Sequence, residues 1–189
     1  VTDLCSRTFI DEPDRLVRYH RALCHNLSLP VLSIEDYRMS GFGSNVAVVP
    51  YNCGDPDIAD RADPGCRVLA GADYYICDER LASWRLHRVI RPKGSRILVA
   101  LGGSDPLGIA VDVALALSDL PAGSYEVRIV AGHGLDIEQR QQLREICETN
   151  PDFEDIAFAD DIGSHLVWAD LAVLGEGLIR FEAAITGTP

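Results

Sequence analysis

Lysine is nearly missing from this chain. Lys93 is the one lysine beside sixteen arginines, and these seventeen basic residues face twenty-nine Asp and Glu, for a net charge of −12. Neutralising a phosphate backbone takes clustered Lys and Arg, so this balance argues against a nucleic-acid partner. No apolar run approaches the ~18 residues of a membrane-spanning helix, and no signal-peptide pattern opens the chain. A cytoplasmic location without membrane insertion is the expectation. Paired cysteines are lacking too. Cys5, Cys24, Cys53, Cys66, Cys77 and Cys147 are irregularly spaced and none forms a CxxC pair. Buried free thiols are the first reading, zinc or disulfides the lesser one, and no metal site is assigned. No repeat of solenoid period is visible.

What is present is an ordinary globular composition, 47% hydrophobic and 24% charged over 189 residues, enough for one large domain or two small ones. The chain starts at Val1 inside a strand-like run and stops at Pro189, so it is expected to be a piece of a longer protein. One stretch stands out: Arg96–Ile–Leu–Val–Ala–Leu–Gly–Gly–Ser–Asp–Pro106. Ile97 to Leu101 is continuously apolar, as in a strand buried on both faces. Gly102 and Gly103 break it, Ser104 or Asp105 can cap a helix, and Pro106 suits a first helical position. A strand, a glycine turn and a helix N-terminus present backbone N–H groups to an anion such as a phosphate. The alternative is a tight turn that binds nothing.

In the N-terminal half, Asp11–Glu12–Pro13–Asp14 opens a helix whose apolar residues run from Leu16 to Leu27. Strands are expected at Pro30–Ile34, Asn45–Pro50 and Arg67–Ala70, and a short helix at Cys77–Trp84. The polar segment Asn52–Gly65 reads as a loop outside the core. Arg88–Ser95 reads as a linker, with Pro and Gly among charged residues, which divides the chain into domains at 1–90 and 91–189. Beyond it, strands are expected at Ile97–Leu101, Tyr125–Val130, Asp155–Phe158 and Leu171–Leu174. Helices are expected at Pro106–Leu120, Ile137–Thr149, Ile162–Trp168 and Leu178–Thr186. Such alternation gives an α/β fold with a parallel sheet. Ligands then bind beyond the C-terminal strand ends, where Gly102–Asp105, Ala131–Gly134, Ala159–Asp161 and Gly175–Gly177 would meet.

Leu98–Val–Ala–Leu–Gly–Gly–Ser–Asp–Pro106 and Ala169–Asp–Leu–Ala–Val–Leu–Gly–Glu–Gly–Leu–Ile–Arg–Phe–Glu–Ala–Ala–Ile–Thr–Gly–Thr–Pro189 together resemble the GT-B nucleotide-sugar enzymes. Within that group they resemble the UDP-2,4-diacetamido-2,4,6-trideoxy-altropyranose hydrolases of pseudaminic acid biosynthesis and the spore-coat polysaccharide biosynthesis proteins. The lipid II-forming N-acetylglucosaminyl transferases are more distant. The resemblance is good from Ile97 to Pro189. From Pro30 to Trp84 it is weaker but continuous, carried by Ile34–Glu–Asp–Tyr37 and Leu69–Ala–Gly–Ala–Asp–Tyr–Tyr–Ile76. It implies two Rossmann-like domains with parallel sheets facing a cleft, the N-terminal one incomplete here and the C-terminal one nucleotide-binding.

By that resemblance Glu182 holds the ribose hydroxyls, a role that suits a carboxylate accepting two donors; otherwise it is a solvated helix glutamate. Gly177 lets backbone N–H groups approach the diphosphate. Gly102, Gly103 and Ser104 line the cleft, while Asp105 is a helix cap or a sugar contact. Ile162 packs on or backbone-pairs the uracil, or is a plain core residue. Tyr37 matches an active-site tyrosine or packs on the core. His133, between two glycines at the ligand edge, is a possible ligand contact. The usual Gly-Gly-Ser-Thr of the ribose segment is here Glu176–Gly177–Leu178–Ile179, which removes two hydroxyls. Arg180 then either pairs with the diphosphate or sits on the helix surface. The implied activity is hydrolysis of a UDP-activated amino or deoxy sugar at the anomeric C–O bond, with no cofactor. A GT-B glycosyltransferase and a non-catalytic nucleotide-sugar-binding protein are the alternatives, and the oligomeric state is not readable.

Overall fold

A computed structural model describes residues 13–34, 41–50, 55–103, 105, 108–132, 134–157, 159–175 and 177–189. The chain is α/β, with two parallel sheets in two compact units, 1–76 and 77–189. No helix among the described residues is long and apolar enough to cross a membrane.

In the first unit, helix α1 (Pro13–Arg21) runs into a π turn (Ala22–Asn26). Strands β1 (Leu32–Ile34), β2 (Val46–Val49) and β3 (Arg67–Ala70) pair in that order, all parallel. Phe42, Ala47, Val49 and Ile58 form the core. Ile58 corrects the sequence reading of Asn52–Gly65: its described part holds a 3₁₀ turn (Ile58–Arg61) that buries an apolar side chain. A single isoleucine among polar residues gives no periodic signal. Gly43 lets α1 approach closely, since a Cβ there would lie 2.7 Å from the Val17 carbonyl oxygen. Arg21 then grips Asp63 through two hydrogen bonds of 2.5 Å.

The second unit begins with helix α2 (Arg80–Arg85). It continues through β4 (Arg96–Ala100), α3 (Ile109–Ser118), β5 (Glu126–Val130), α4 (Ile137–Thr149), β6 (Phe153–Ile156), α5 (Ile162–Trp168), β7 (Leu171–Leu174) and α6 (Ile179–Thr186). The parallel sheet has the order β6-β5-β4-β7. Successive side chains of β4 point to opposite faces. Ile97 and Val99 meet Val111 and Ala114 of α3 and Leu143 of α4, whereas Leu98 and Ala100 meet Leu166 of α5 and Ile179 and Ala183 of α6. Helices therefore cover both faces, which explains why β4 is apolar from Ile97 to Ala100. Strand β6 lies two residues earlier than the expected Asp155–Phe158. Phe153 pairs with Val127 and packs against the first of these clusters, so its side chain sets the start of the strand.

Residues 77–95, assigned from sequence to a domain end and a linker, pack on the second unit. Trp84 Nε1 donates to the Asp161 carboxylate at 2.8 Å, and a Cβ on Gly163 would lie 2.3 Å from the indole Cδ1. Arg88 donates to the carbonyl of Ala169 at 2.9 Å and to the Thr188 hydroxyl at 3.1 Å. Asp170 accepts from Arg91 at 2.9 Å and from the backbone N–H of Ser95 and Arg96 at 3.0 and 3.1 Å. Burial would raise the Asp170 pKa, but these donors outweigh it and hold the carboxyl below its ordinary value.

Candidate functional site

Strand β5 lies on one side of β4 and β7 on the other, and the connections from each leave along opposite faces. The crevice beyond the C-terminal ends of β4 and β7 is therefore the switch point of the sheet, where such folds take their ligands. Glycines build this edge in two ways. Gly132 and Gly175 are structural. A Cβ on Gly132 would stand 2.3 Å from the Gly102 carbonyl oxygen, and one on Gly175 would stand 2.4 Å from that of Leu101. Gly134 N–H closes the contact by donating to the Gly103 carbonyl at 2.9 Å. Gly102, Gly103 and Gly177 are exposed instead, and the space where their Cβ atoms would stand is open. Gly102 also has φ +99°, a conformation that favours glycine.

The two helices that start at this edge differ in how their first turns are satisfied. Asp105, 5% exposed, accepts from the backbone N–H of Ile109 at 3.0 Å and of Ala110 at 2.7 Å. Helix α3 thus has its own carboxylate at its positive end and begins at Ile109, beyond the expected Pro106, which lies outside the described residues together with Leu107. At α6 the N-cap residue is Leu178, 48% exposed, and no side chain among the described residues caps the helix. Its first-turn N–H groups have no side-chain acceptor among the described residues, and Gly177 stands before them.

Glu182 occupies the first turn of α6. It is half-buried, and among the described residues no donor or cation meets its carboxylate. Burial, and then the nearby Asp78, push its pKa above the ordinary value. Arg180 is exposed and lies over the Phe181 ring at 4.8 Å, away from any carboxylate among the described residues. Ile162 begins α5 behind the cap made by Asp161, which accepts from Gly163 N–H at 3.1 Å; its half-buried side chain packs against the Leu98–Leu166 cluster. Tyr37, Ser104 and His133 lie outside the described residues.

The structure thus brings Gly102, Gly103, Asp105, Gly177, Arg180 and Glu182 to the edge where β4 and β7 diverge. It adds α2, which packs on α5 and α6. Asp78, just before α2, is chelated by Arg80 at 2.6–3.0 Å and has its pKa lowered to about 2 by that partner. Sequence reasoning passed over Asp78, Arg80 and Trp84. The available signal was Gly163, a glycine inside an expected helix, which marks a close approach. Asp170 belongs elsewhere. It ties the N-terminal ends of β4 and β7, so the Ala169–Asp–Leu171 part of the motif supports the sheet from the opposite edge.

Among the described residues no group of three His, Cys, Asp or Glu gathers to hold a metal ion. Cys24, Cys66, Cys77 and Cys147 are free thiols, and burial pushes the Cys147 pKa up to about 11. No protein-family model matches the chain. It is similar to the spore coat polysaccharide biosynthesis protein SpsG of Bacillus subtilis (strain 168), with 28% identity over 123 residues. That match takes in 65% of this chain and 36% of SpsG, so the chain spans about a third of the curated relative's length.

Proposed function

We propose that the second unit binds the nucleoside diphosphate part of a nucleotide sugar, UDP first among candidates, in a protein of polysaccharide or sugar biosynthesis. The observation that carries this reading is the start of α6. A helix N-terminus behind Gly177, without a side-chain cap among the described residues, offers N–H donors and a positive dipole end to a diphosphate. One turn along, Glu182 offers a carboxylate that lacks a donor among the described residues, as a ribose diol requires. Ile162 would lie against the base, and Gly102 and Gly103 would leave room for the sugar. The similarity to SpsG supports the biosynthetic setting.

The reaction proposed is hydrolysis. The anomeric C–O bond breaks, the nucleoside diphosphate leaves with its oxygen, and water supplies the new anomeric hydroxyl. Stabilising the leaving diphosphate is the contribution α6 is suited to make, and Tyr37 is proposed to orient water or substrate. Titration calorimetry should give micromolar-range UDP binding that UMP weakens. UDP should be released from a UDP-amino sugar without an acceptor. Release only when an acceptor is added would replace hydrolysis by glycosyl transfer. A third reading, nucleotide-sugar binding without catalysis, draws on Leu178, an exposed apolar residue at the position where the family resemblance implies a hydroxyl. UDP binding without release under either condition would favour it, and no binding to any nucleotide would end the nucleotide reading.

A further inference from the structure

Arg140 is a cation where its own helix does not favour one. It lies in the first turn of α4, at the positive end of the dipole, with its backbone N–H bonded to the Asp136 carbonyl at 3.0 Å. No carboxylate among the described residues forms an ion pair with it. The Asp136 side chain accepts instead from the Gln139 N–H at 2.8 Å. The half-buried Arg140 guanidinium turns to the loop after β5, where its Nη2 donates to the Gly132 carbonyl at 2.6 Å. Gly132 is the residue that meets the glycine turn after β4. A Cβ there would stand 2.3 Å from the Gly102 carbonyl oxygen and 2.5 Å from that of Gly103. Two residues on, the Gly134 N–H donates to the same Gly103 carbonyl at 2.9 Å. We propose that Arg140 is a positioning residue for the sugar side of the site. From α4 it clamps the Gly132–Gly134 turn, and through it the Gly102–Gly103 turn, in the shape that leaves room for the sugar. This rests on the reading that the sugar of a nucleotide sugar lies beside Gly102 and Gly103.

The turn needs a clamp because it has no side chains of its own to hold it. Gly102 and Gly103 are exposed, the space at their Cβ positions is open, and glycine gives up more conformational freedom on ordering than any other residue. A guanidinium suits the task. Its hydrogen bond to a carbonyl is charge-assisted, and its planar fork is preorganised in a way that a lysine ammonium is not. Arg140 also starts from a firm base. The Asp136 N–H donates to Gln139 Oε1 at 3.1 Å, and a Cβ on Gly108 would lie 2.7 Å from Gln139 Nε2, so the first turn of α4 is packed on the start of α3. The α6 end of the edge is built separately, with Gly175 against the Leu101 carbonyl. Losing the clamp should therefore loosen the sugar side and leave the nucleotide side as it was. Gly132 offers a second handle on the same turn. A methyl group there would press on the Gly102 and Gly103 carbonyls while Arg140 stays in place.

The test compares UDP-N-acetylglucosamine with UDP by titration calorimetry on the whole protein, for wild type, Arg140→Ala, Arg140→Lys and Gly132→Ala. Amide hydrogen exchange at Gly134 is followed beside it, without ligand. Arg140→Ala should speed exchange of the Gly134 N–H. It should weaken UDP-N-acetylglucosamine binding by roughly tenfold, the size of one hydrogen bond from a charged donor, and leave UDP affinity unchanged. Arg140→Lys should restore part of both losses. Gly132→Ala should give the same selective loss of sugar affinity with Arg140 intact. If Gly132→Ala spares the affinity that Arg140→Ala removes, Arg140 acts on the ligand directly and the positioning role is overturned. Unchanged Gly134 exchange in Arg140→Ala breaks the clamp at its first link. If Arg140→Ala weakens UDP and UDP-N-acetylglucosamine alike, or neither, the role is overturned and the nucleotide reading stands. If the wild type binds neither ligand, the nucleotide reading falls and takes this role with it.

Discussion

At Glu182 the proposed function and stability pull in opposite directions. Its raised pKa means that the folded state holds this proton more tightly than the unfolded chain does. The carboxylate therefore costs the fold stability as pH rises past the unfolded value, in full above the folded one, and that cost vanishes as pH falls below the unfolded value. The proposed ribose binding has the opposite sign, being present only when the group is ionised. Glu182→Gln is expected to leave the thermal midpoint near neutral pH unchanged or slightly higher. UDP affinity should fall by roughly ten- to a hundredfold, the size of hydrogen bonds to a charged acceptor. Calorimetry beside a melting curve reads both, and a variant that loses stability and keeps affinity would remove Glu182 from the site. Asp105 shows the other use of a carboxylate at this edge. Its oxygens are spent on the N–H groups of Ile109 and Ala110, so the first turn of α3 is already occupied.

Among the elements, the contact of α2 with α5 decides how the candidate site is walled. Gly163 is buried because the Trp84 indole lies against it, and the indole N–H is fixed on Asp161. A methyl group at residue 163 has nowhere to go unless the indole moves. Gly163→Ala should lower unfolding stability by about 1–3 kcal/mol, as overpacking does, measured by urea denaturation. Unchanged stability would mean that Trp84 is not docked there. Periodicity placed α4, α5 and β7 within their observed bounds, because each has enough apolar residues at its own spacing. It misplaced β6, where Asn150–Pro–Asp–Phe153 looks like a turn until Phe153 is seen to pair with Val127 and pack against the core. It also gave Asn52–Gly65 no core residue, because a lone Ile58 has no pattern.

At the scale of the whole molecule, the segment 77–95 belongs to the second unit. Trp84, Arg88 and Arg91 bind Asp161, Ala169, Thr188 and Asp170, which come from α5 and from both ends of the β7–α6 pair. A polypeptide of residues 77–189 is expected to melt cooperatively. One of residues 91–189 should melt lower by at least several degrees, since it exposes Gly163 and leaves buried acceptors at Ala169 without their donor. Circular dichroism melts compare the two, and equal midpoints would place the boundary at the expected linker. The Asp170 network adds a pH dependence of the usual carboxylate sign. It stabilises above the unfolded pKa and is lost as pH falls through the lower, folded one.

The sequence by itself determined the α/β alternation, the parallel sheet behind Gly102–Gly103, and the glycine-rich C-terminal edge. Those features follow from local spacing, in which apolar residues recur at the period of the element they bury and glycines mark its ends. Only the tertiary structure decided that Asp170 serves the opposite edge of the sheet. It also set Trp84 against Gly163. Each of these depends on which distant segments the crossovers bring together. Charge and hydrogen-bond partners separated by scores of residues carry no periodic trace along the chain.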